Sequence, residues 1–409
     1  MSTAEWKLAK LNELGFVGRG KSRHRPRDAA FLYGGRYPFF QTGDIKAANF
    51  HLTEYKQTYS EEGLAQSKLW KPGTLCITIA ANIADSAILG IEGCFPDSVV
   101  GFIADPDKAD VRFIKYSVDT LKLQMQNISR GATQDNLSLD KLLTFDFRVP
   151  RLPIQRRIAG ILSAYDDLIE NNQRRIQILE TMARALYREW FVEFRFPGHE
   201  KIPLVASPLG KIPRGWEVKT IAAVAKVNRA QINARNAPGE LHYIDIASVG
   251  PGEIREITTY ALTDAPGRAR RVVQHGDVLW SCVRPNRRSH ALVMHPESNT
   301  IASTGFAVLT ASAVPFTFLY FATTTDEFVG YLTNHATGAA YPAVTATTFE
   351  DAHLLVPPAP LLARFGEATI PMSEETHALQ RQINNLRRTR DLLLPRLLSG
   401  QVTLADTAA

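Results

Sequence analysis

Cysteine is scarce. The 409 residues hold three, Cys76, Cys94 and Cys282, too few and too scattered for a disulfide framework or a closed zinc site. No basic n-region, apolar h-region and cleavage site open the sequence, so a cytoplasmic protein is expected. Long hydrophobic runs are missing too. The one long uncharged stretch, Asn299 to Thr325, is rich in Thr, Ser and Ala and broken by Pro315. It reads as a core strand running into a buried helix, and no membrane partner is expected. Neither sign of charge dominates. The 47 Lys and Arg against 41 Asp and Glu leave a formal net charge of +6, which permits a polyanionic partner without demanding one.

Catalytic motifs are absent as well. There is no Gly-rich loop followed by Lys and Ser or Thr to cradle a phosphate. An Asn-Pro-Pro-aromatic run, the mark of an amino-methyltransferase, is missing; the nearest proline pair, Pro357-Pro358, starts a helix. The ten histidines do not fall at zinc-ligand spacing beside a helpful carboxylate, so no metal site is expected. No Gly-x-Ser-x-Gly elbow supports a Ser/His/Asp triad. The chain reads as a binding protein with no catalytic residue and no cofactor of its own.

What is present is a repeat. Gly131-Ala132 matches Gly338-Ala339 and Val149-Pro150 matches Val356-Pro357 at one constant offset. The same offset, without a gap, pairs Arg157 with Arg364, Gln173-Arg174 with Gln380-Arg381, Ile176 with Ile383, Leu179 with Leu386 and Leu186 with Leu393. Upstream the register drifts: Gly101-Phe102 pairs with Gly305-Phe306, Gly73 with Gly276, Asp44-Ile45 with Asp245-Ile246, and Trp6 with Trp216.

Each copy has two unlike parts. Residues 1–150 and 214–356 show short apolar runs broken by Gly and Pro, such as GTLCITIA and GDVLWSCV, interleaved with short helices such as Val111–Gln126. These predict mixed α/β domains. Residues 151–195 and 357–400 predict long helices of about forty residues, roughly 60 Å. A linker is expected at 196–213 and a tail at 401–409. The first apolar stripe is Ile158, Ile161, Leu162, Tyr165, Leu168, Ile169, Ile176, Leu179, Met182 and Leu186; the second is Leu379, Ile383, Leu386, Leu393 and Leu397. Asn172 falls among the stripe positions, and Pro371 is expected to kink or interrupt the second helix. Such helices need partners. The expected fold is α+β: two mixed domains related by a pseudo-two-fold axis, each followed by a long helix, the helices pairing as an antiparallel coiled coil. Two separate helical tails that bind other proteins are the alternative.

Basic clusters indicate what is bound. GRGKSRHRPR gathers Arg19, Lys21, Arg23, Arg25 and Arg27. In the second copy GRARR supplies Arg268, Arg270 and Arg271, and VRPNRRSH supplies Arg284, Asn286, Arg287 and Arg288. Arginine suits both phosphates and guanine edges; a solvated surface loop is the plain alternative for any single run. The matching turns SRGATQDNLS and ATGAAYPAVT offer Gln134 and Asn136 for adenine and Tyr341 for a sugar or base, or else hold domain and helix together.

Arg130 to Leu162, RGATQDNLSLDKLLTFDFRVPRLPIQRRIAGIL, resembles the boundary between recognition domain and helical spacer in specificity subunits of type I restriction–modification enzymes. FQTGDIK, YREWFVEFRFP and IPRGWE are similar to other landmarks of that family. The second boundary departs from the pattern, with Ala340-Tyr341 where the first copy has Thr133-Gln134. The resemblance implies a non-catalytic subunit that reads one half of a split double-stranded DNA target with each domain and uses its helices as a ruler. It also implies two modification subunits carrying S-adenosylmethionine and two motor-nuclease subunits using ATP and magnesium. Because the basic loops differ between copies, an asymmetric target is expected. A scaffold that binds only proteins and a self-contained DNA-modifying enzyme are the competing readings.

Overall fold

The computed structural model describes residues 6–130, 137–207, 210–233 and 237–402, without the side chains of 128–130. Two compact units divide the chain: Met1–Arg174 with Arg381–Ala409, and Arg175–Gln380. Both unit boundaries fall inside long helices, so each unit holds a globular part and one end of both helices.

The first unit closes its globular part with strand Lys7–Ala9 antiparallel to Phe147–Val149. A five-stranded sheet runs in the order Gly15–Arg19, Val99–Ala104, Leu75–Thr78, Ser86–Leu89, His51–Leu52. A four-stranded sheet runs Gln57–Tyr59, Tyr33–Phe39, Gly93–Cys94, Leu69–Trp70. Leu75, Ile77, Val100 and Phe102 on the sheet and Phe113 and Ile114 on helix Val111–Arg130 pack with Ile158, Leu162 and Leu397 of the long helices.

The second unit repeats this plan. Glu217–Thr220 pairs with His353–Val356. One sheet runs Ala225–Val227, Phe306–Ala311, Val278–Ser281, His290–Leu292, and the other Thr258–Ala261, Glu240–Ile244, Thr300–Ser303, Ala269–Val272. In both small sheets the two central strands are parallel and the outer pairs antiparallel. Gly73 and Gly276 open equivalent turns at φ +83° and +82°, a conformation that side chains with a Cβ rarely adopt. Leu137 N–H donates to Ile79 C=O as Val344 N–H does to Cys282 C=O, both at 2.9 Å.

One sequence pairing shifts. From the equivalent glycines, Leu75 corresponds to Val278; Leu75 faces Phe102 while Val278 faces Leu309. Phe102 therefore takes the place of Leu309, not of Phe306. The matching Gly-Phe dipeptides are a coincidence of composition, and the constant downstream offset extends back through this strand. The uncharged stretch is strand Thr300–Ser303, strand Phe306–Ala311 and buried helix Phe316–Ala322, as its composition indicated.

The long helices span Leu152–Tyr187, extended by a π-helical turn Arg188–Val192, and Ala359–Leu398. Within each unit they run antiparallel. In the first, Asp166 meets Arg390, and Asn172 Nδ2 donates to Gln382 Oε1 at 3.2 Å. In the second, Arg175 meets Glu375, and Phe191 packs 4.9 Å from Phe365. Ile158, Leu162, Ile169, Leu379 and Ile383 are buried, while Tyr165, Ile176, Leu179, Leu186, Leu386 and Leu393 are half-buried. Leu168 and Met182 face solvent, at 44% and 50% exposure: the stripe is narrower than the apolar spacing suggests. Pro371 does not interrupt the second helix. Pro371 and Glu367, whose carbonyl loses its helical donor, both lie on the exposed side of the helix, where a missing helical hydrogen bond costs least, and the turn persists.

The Pro- and Gly-rich stretch between the copies is folded. Val205 pairs with Ile212 in a hairpin, and Phe196, Ile212 and Trp216 are buried in the core of the second unit. No helix among the described residues is long and apolar enough to cross a membrane.

Candidate nucleic-acid interface

In the first unit the basic segment leaves the end of strand Gly15–Arg19. A Cβ at Gly20 would stand 2.3 Å from the carbonyl oxygens of Phe95 and Pro96, so only glycine lets the backbone exit this close. All five cations are exposed, but they do different work. Arg19 donates to the Asp97 carbonyl at 2.7 and 2.9 Å, and Arg27 donates to both oxygens of the Asp97 carboxylate at 3.0 Å. Arg25 donates to the carbonyls of Ser22 and His24 at 2.7 and 2.8 Å. These three shape the loop and keep spare N–H groups. The side chains of Lys21 and Arg23 have no hydrogen-bond or ion-pair partner among the described residues.

Lys68, ahead of the edge strand Leu69–Trp70, lies where Arg268 lies ahead of the edge strand Ala269–Val272. Its Nζ is 3.7 Å from the Trp70 ring centre and 4.7 Å from that of Phe16, which is 53% exposed. Burial, and then the charge of Lys21, lowers its pKa. A lone lysine in SKLWK carries no cluster signal, and only the fold joins it to the basic segment. Gln134 and Asn136 lie outside the described residues.

In the second unit Arg268 is exposed and Arg270 lines a shallow cavity with Gln231 and Asn233. Arg271 Nε is buried without a partner among the described residues, and burial lowers the guanidinium pKa. Two distant sequence signals come together here. Arg284 stacks 4.6 Å over the ring of Tyr341, which is 70% exposed, and its Nη2 donates to Ala340 C=O at 3.3 Å. Arg288 pairs with Asp326 at the start of helix Asp326–Asn334. Asn286 and Arg287 are exposed, with no side-chain partner among the described residues. His290 beneath this loop is pushed down to about 3, by burial first and then by the charges of Arg184 and Arg288, so its imidazole stays neutral at ordinary pH.

The loop with these residues follows strand Val278–Ser281 and is bracketed by left-handed residues, Arg284 at φ +51° and Arg288 at φ +55°. After the equivalent strand Leu75–Thr78, Ala81 and Ala84 both hold φ +62°. The same backbone device presents arginines in one copy and Ala81, Asn82 and Ala84 in the other. In turn, the basic exit loop of the first copy corresponds to a second-copy loop that begins at Asn228, also left-handed at φ +54°.

Residues 3–181 match the family model described as type I restriction modification DNA specificity domain. Those residues belong to that specificity-domain family. The whole chain is 23% identical over 427 aligned positions to the type I restriction enzyme MjaIX specificity subunit of Methanocaldococcus jannaschii, covering 98% of this chain and 94% of that protein. It is 24% identical to the HindI specificity subunit of Haemophilus influenzae, over 67% of this chain and 72% of that one. In fold it resembles the type I restriction–modification S subunit from M. genitalium, with TM-score 0.64, 15% identity and coverage of 100% and 98% of the two chains.

Proposed function

We propose that this specificity subunit reads a split, asymmetric double-stranded DNA target, one half with each globular part. The observation that supports this most is the shared scaffold with unshared loops: equivalent strands and left-handed turns display different side chains in the two copies. Lys21, Arg23, Lys68, Asn286 and Arg287 reach phosphates and base edges, while Arg19, Arg25, Arg27, Arg284 and Arg288 also hold the loops that carry them. Phosphate neutralisation supplies affinity that falls with salt, and the side chains that reach base edges supply the sequence reading. Helix Leu152–Tyr187 runs on from the first copy and sets the number of unread base pairs.

The chemistry belongs to partners. Two modification subunits carry S-adenosylmethionine and methylate adenine, and two motor-nuclease subunits use ATP and magnesium. The chain itself supplies address and geometry. Co-expression with its modification subunit, followed by genome-wide mapping of N6-methyladenine, tests this. A two-part motif with a constant gap is expected; no motif, or the same motif without this chain, overturns the reading.

A further inference from the structure

His275, His295 and Glu374 come together in the second unit, with one ligand atom from each lying within 4.8 Å of the others. His295 Nε2 is 2.7 Å from one Glu374 oxygen, and His275 Nε2 is 3.8 Å from the other. The imidazole rings are 4.4 Å apart, and His377, one turn along the helix from Glu374, places a third imidazole 5.6 Å from His295. We propose that these groups form a site for a divalent transition metal of the zinc class, independent of DNA reading.

The geometry is close to what such an ion needs. Ligands about 2.0–2.1 Å from a tetrahedral zinc stand about 3.4 Å from one another, so shifts of roughly an ångström at exposed side chains complete the site. Two imidazoles and a carboxylate suit zinc-class ions, whereas magnesium and calcium favour oxygen sets. Water or His377 takes the fourth position. Metal binding at His275 Nε2 places the imidazole proton on Nδ1 and gives up the 3.3 Å contact that Nδ1 accepts from His295 N–H.

The fold holds the two histidines ready. Gly276 N–H donates to Val293 C=O and Val293 N–H to Asp277 C=O, both at 2.8 Å, which sets the two turns side by side. The turn with His275 is pinned by the buried Asp277 carboxylate, which accepts from Gln274 N–H at 2.8 Å and Thr310 Oγ1 at 2.7 Å. His295 holds φ +46°, a costly conformation for a residue with a Cβ. Glu374 and His377 belong to the C-terminal helix, so the ion staples the reading part of this unit to its helix.

The test uses the full chain, treated with a chelator and then dialysed, titrated with Zn²⁺ by calorimetry and with Co²⁺ by visible absorption. One Zn²⁺ per chain is expected, with the intense d–d absorption of tetrahedral Co²⁺, a rise in melting temperature, and no competition from Mg²⁺. The double variant His275→Ala/His295→Ala and the single variant Glu374→Gln each weaken binding more than about 100-fold while leaving far-UV circular dichroism unchanged. Absence of stoichiometric Zn²⁺ binding, or binding that survives both variants, overturns the proposal.

Discussion

At the scale of the residue, Asp97 separates two kinds of arginine. Those it engages, Arg19 and Arg27, shape the loop, whereas Arg23 beside them has no side-chain partner among the described residues. The second unit draws the same line between Arg288, paired with Asp326, and Arg287. Arg287→Ala is therefore expected to relax one half of the methylation motif by about 1–3 kcal/mol of discrimination without lowering the melting temperature. Equal loss at both halves would contradict reading by separate copies. The sequence showed the cations but not this division, because a partner such as Asp97 is far away in the chain.

Glu170 illustrates a titrating contact. Burial raises its pKa, but hydrogen bonds from the His51 ring at 3.0 Å and from the N–H groups of His51 and Phe50 at 2.9 and 3.1 Å bring it below the ordinary 4.5. Its bond in turn raises His51 above 6.5, against the effect of burial. The raised histidine stabilises the fold fully below 6.5 and loses that effect as pH rises through its folded value. The lowered carboxylate stabilises fully above 4.5 and loses that effect as pH falls. The pair thus contributes most between 4.5 and 6.5. The melting-temperature gap between wild type and Glu170→Gln should shrink from pH 6 to pH 8.5; a gap that widens over that range contradicts the assignment.

At the scale of the element, the long helices were legible because a 3.6-residue apolar period survives without knowledge of the fold. Which stripe positions are buried was not. Leu168 and Met182 fit the spacing but face solvent, while Asp166 and Asn172 are nearly inaccessible at 2% and 1%. Asp166 is accommodated by Arg390 and by the Tyr116 hydroxyl, and Asn172 Oδ1 has no partner among the described residues. Pro371 is the clearest case of context overriding propensity, since it and Glu367, whose carbonyl loses its helical donor, both lie on the exposed side of the helix. Pro371→Ala restores that hydrogen bond and is expected to stabilise the chain by about 1–3 kcal/mol, read by chemical denaturation; a loss of stability would show that the proline has a packing role.

At the scale of the whole molecule, duplication is the organising fact. The helices keep register between copies without a gap, and the loops do not. Removing one heptad, Ile176–Met182, from the central helix should change the spacer of the motif or abolish assembly, as seen by methylation mapping and gel filtration. An unchanged motif with an unchanged spacer would sink the ruler role. The duplication, the mixed α/β parts, the antiparallel helices and the basic loops were all determined by sequence, because periodicity, turn residues and charge are local properties and a repeat is read by direct comparison. Tertiary structure alone decided that Phe102 corresponds to Leu309, that Arg284 lies over Tyr341, that Lys68 joins the basic face, and that His275, His295 and Glu374 meet. Each of these depends on strand register or on packing between segments far apart in the chain, and no local pattern encodes that distance.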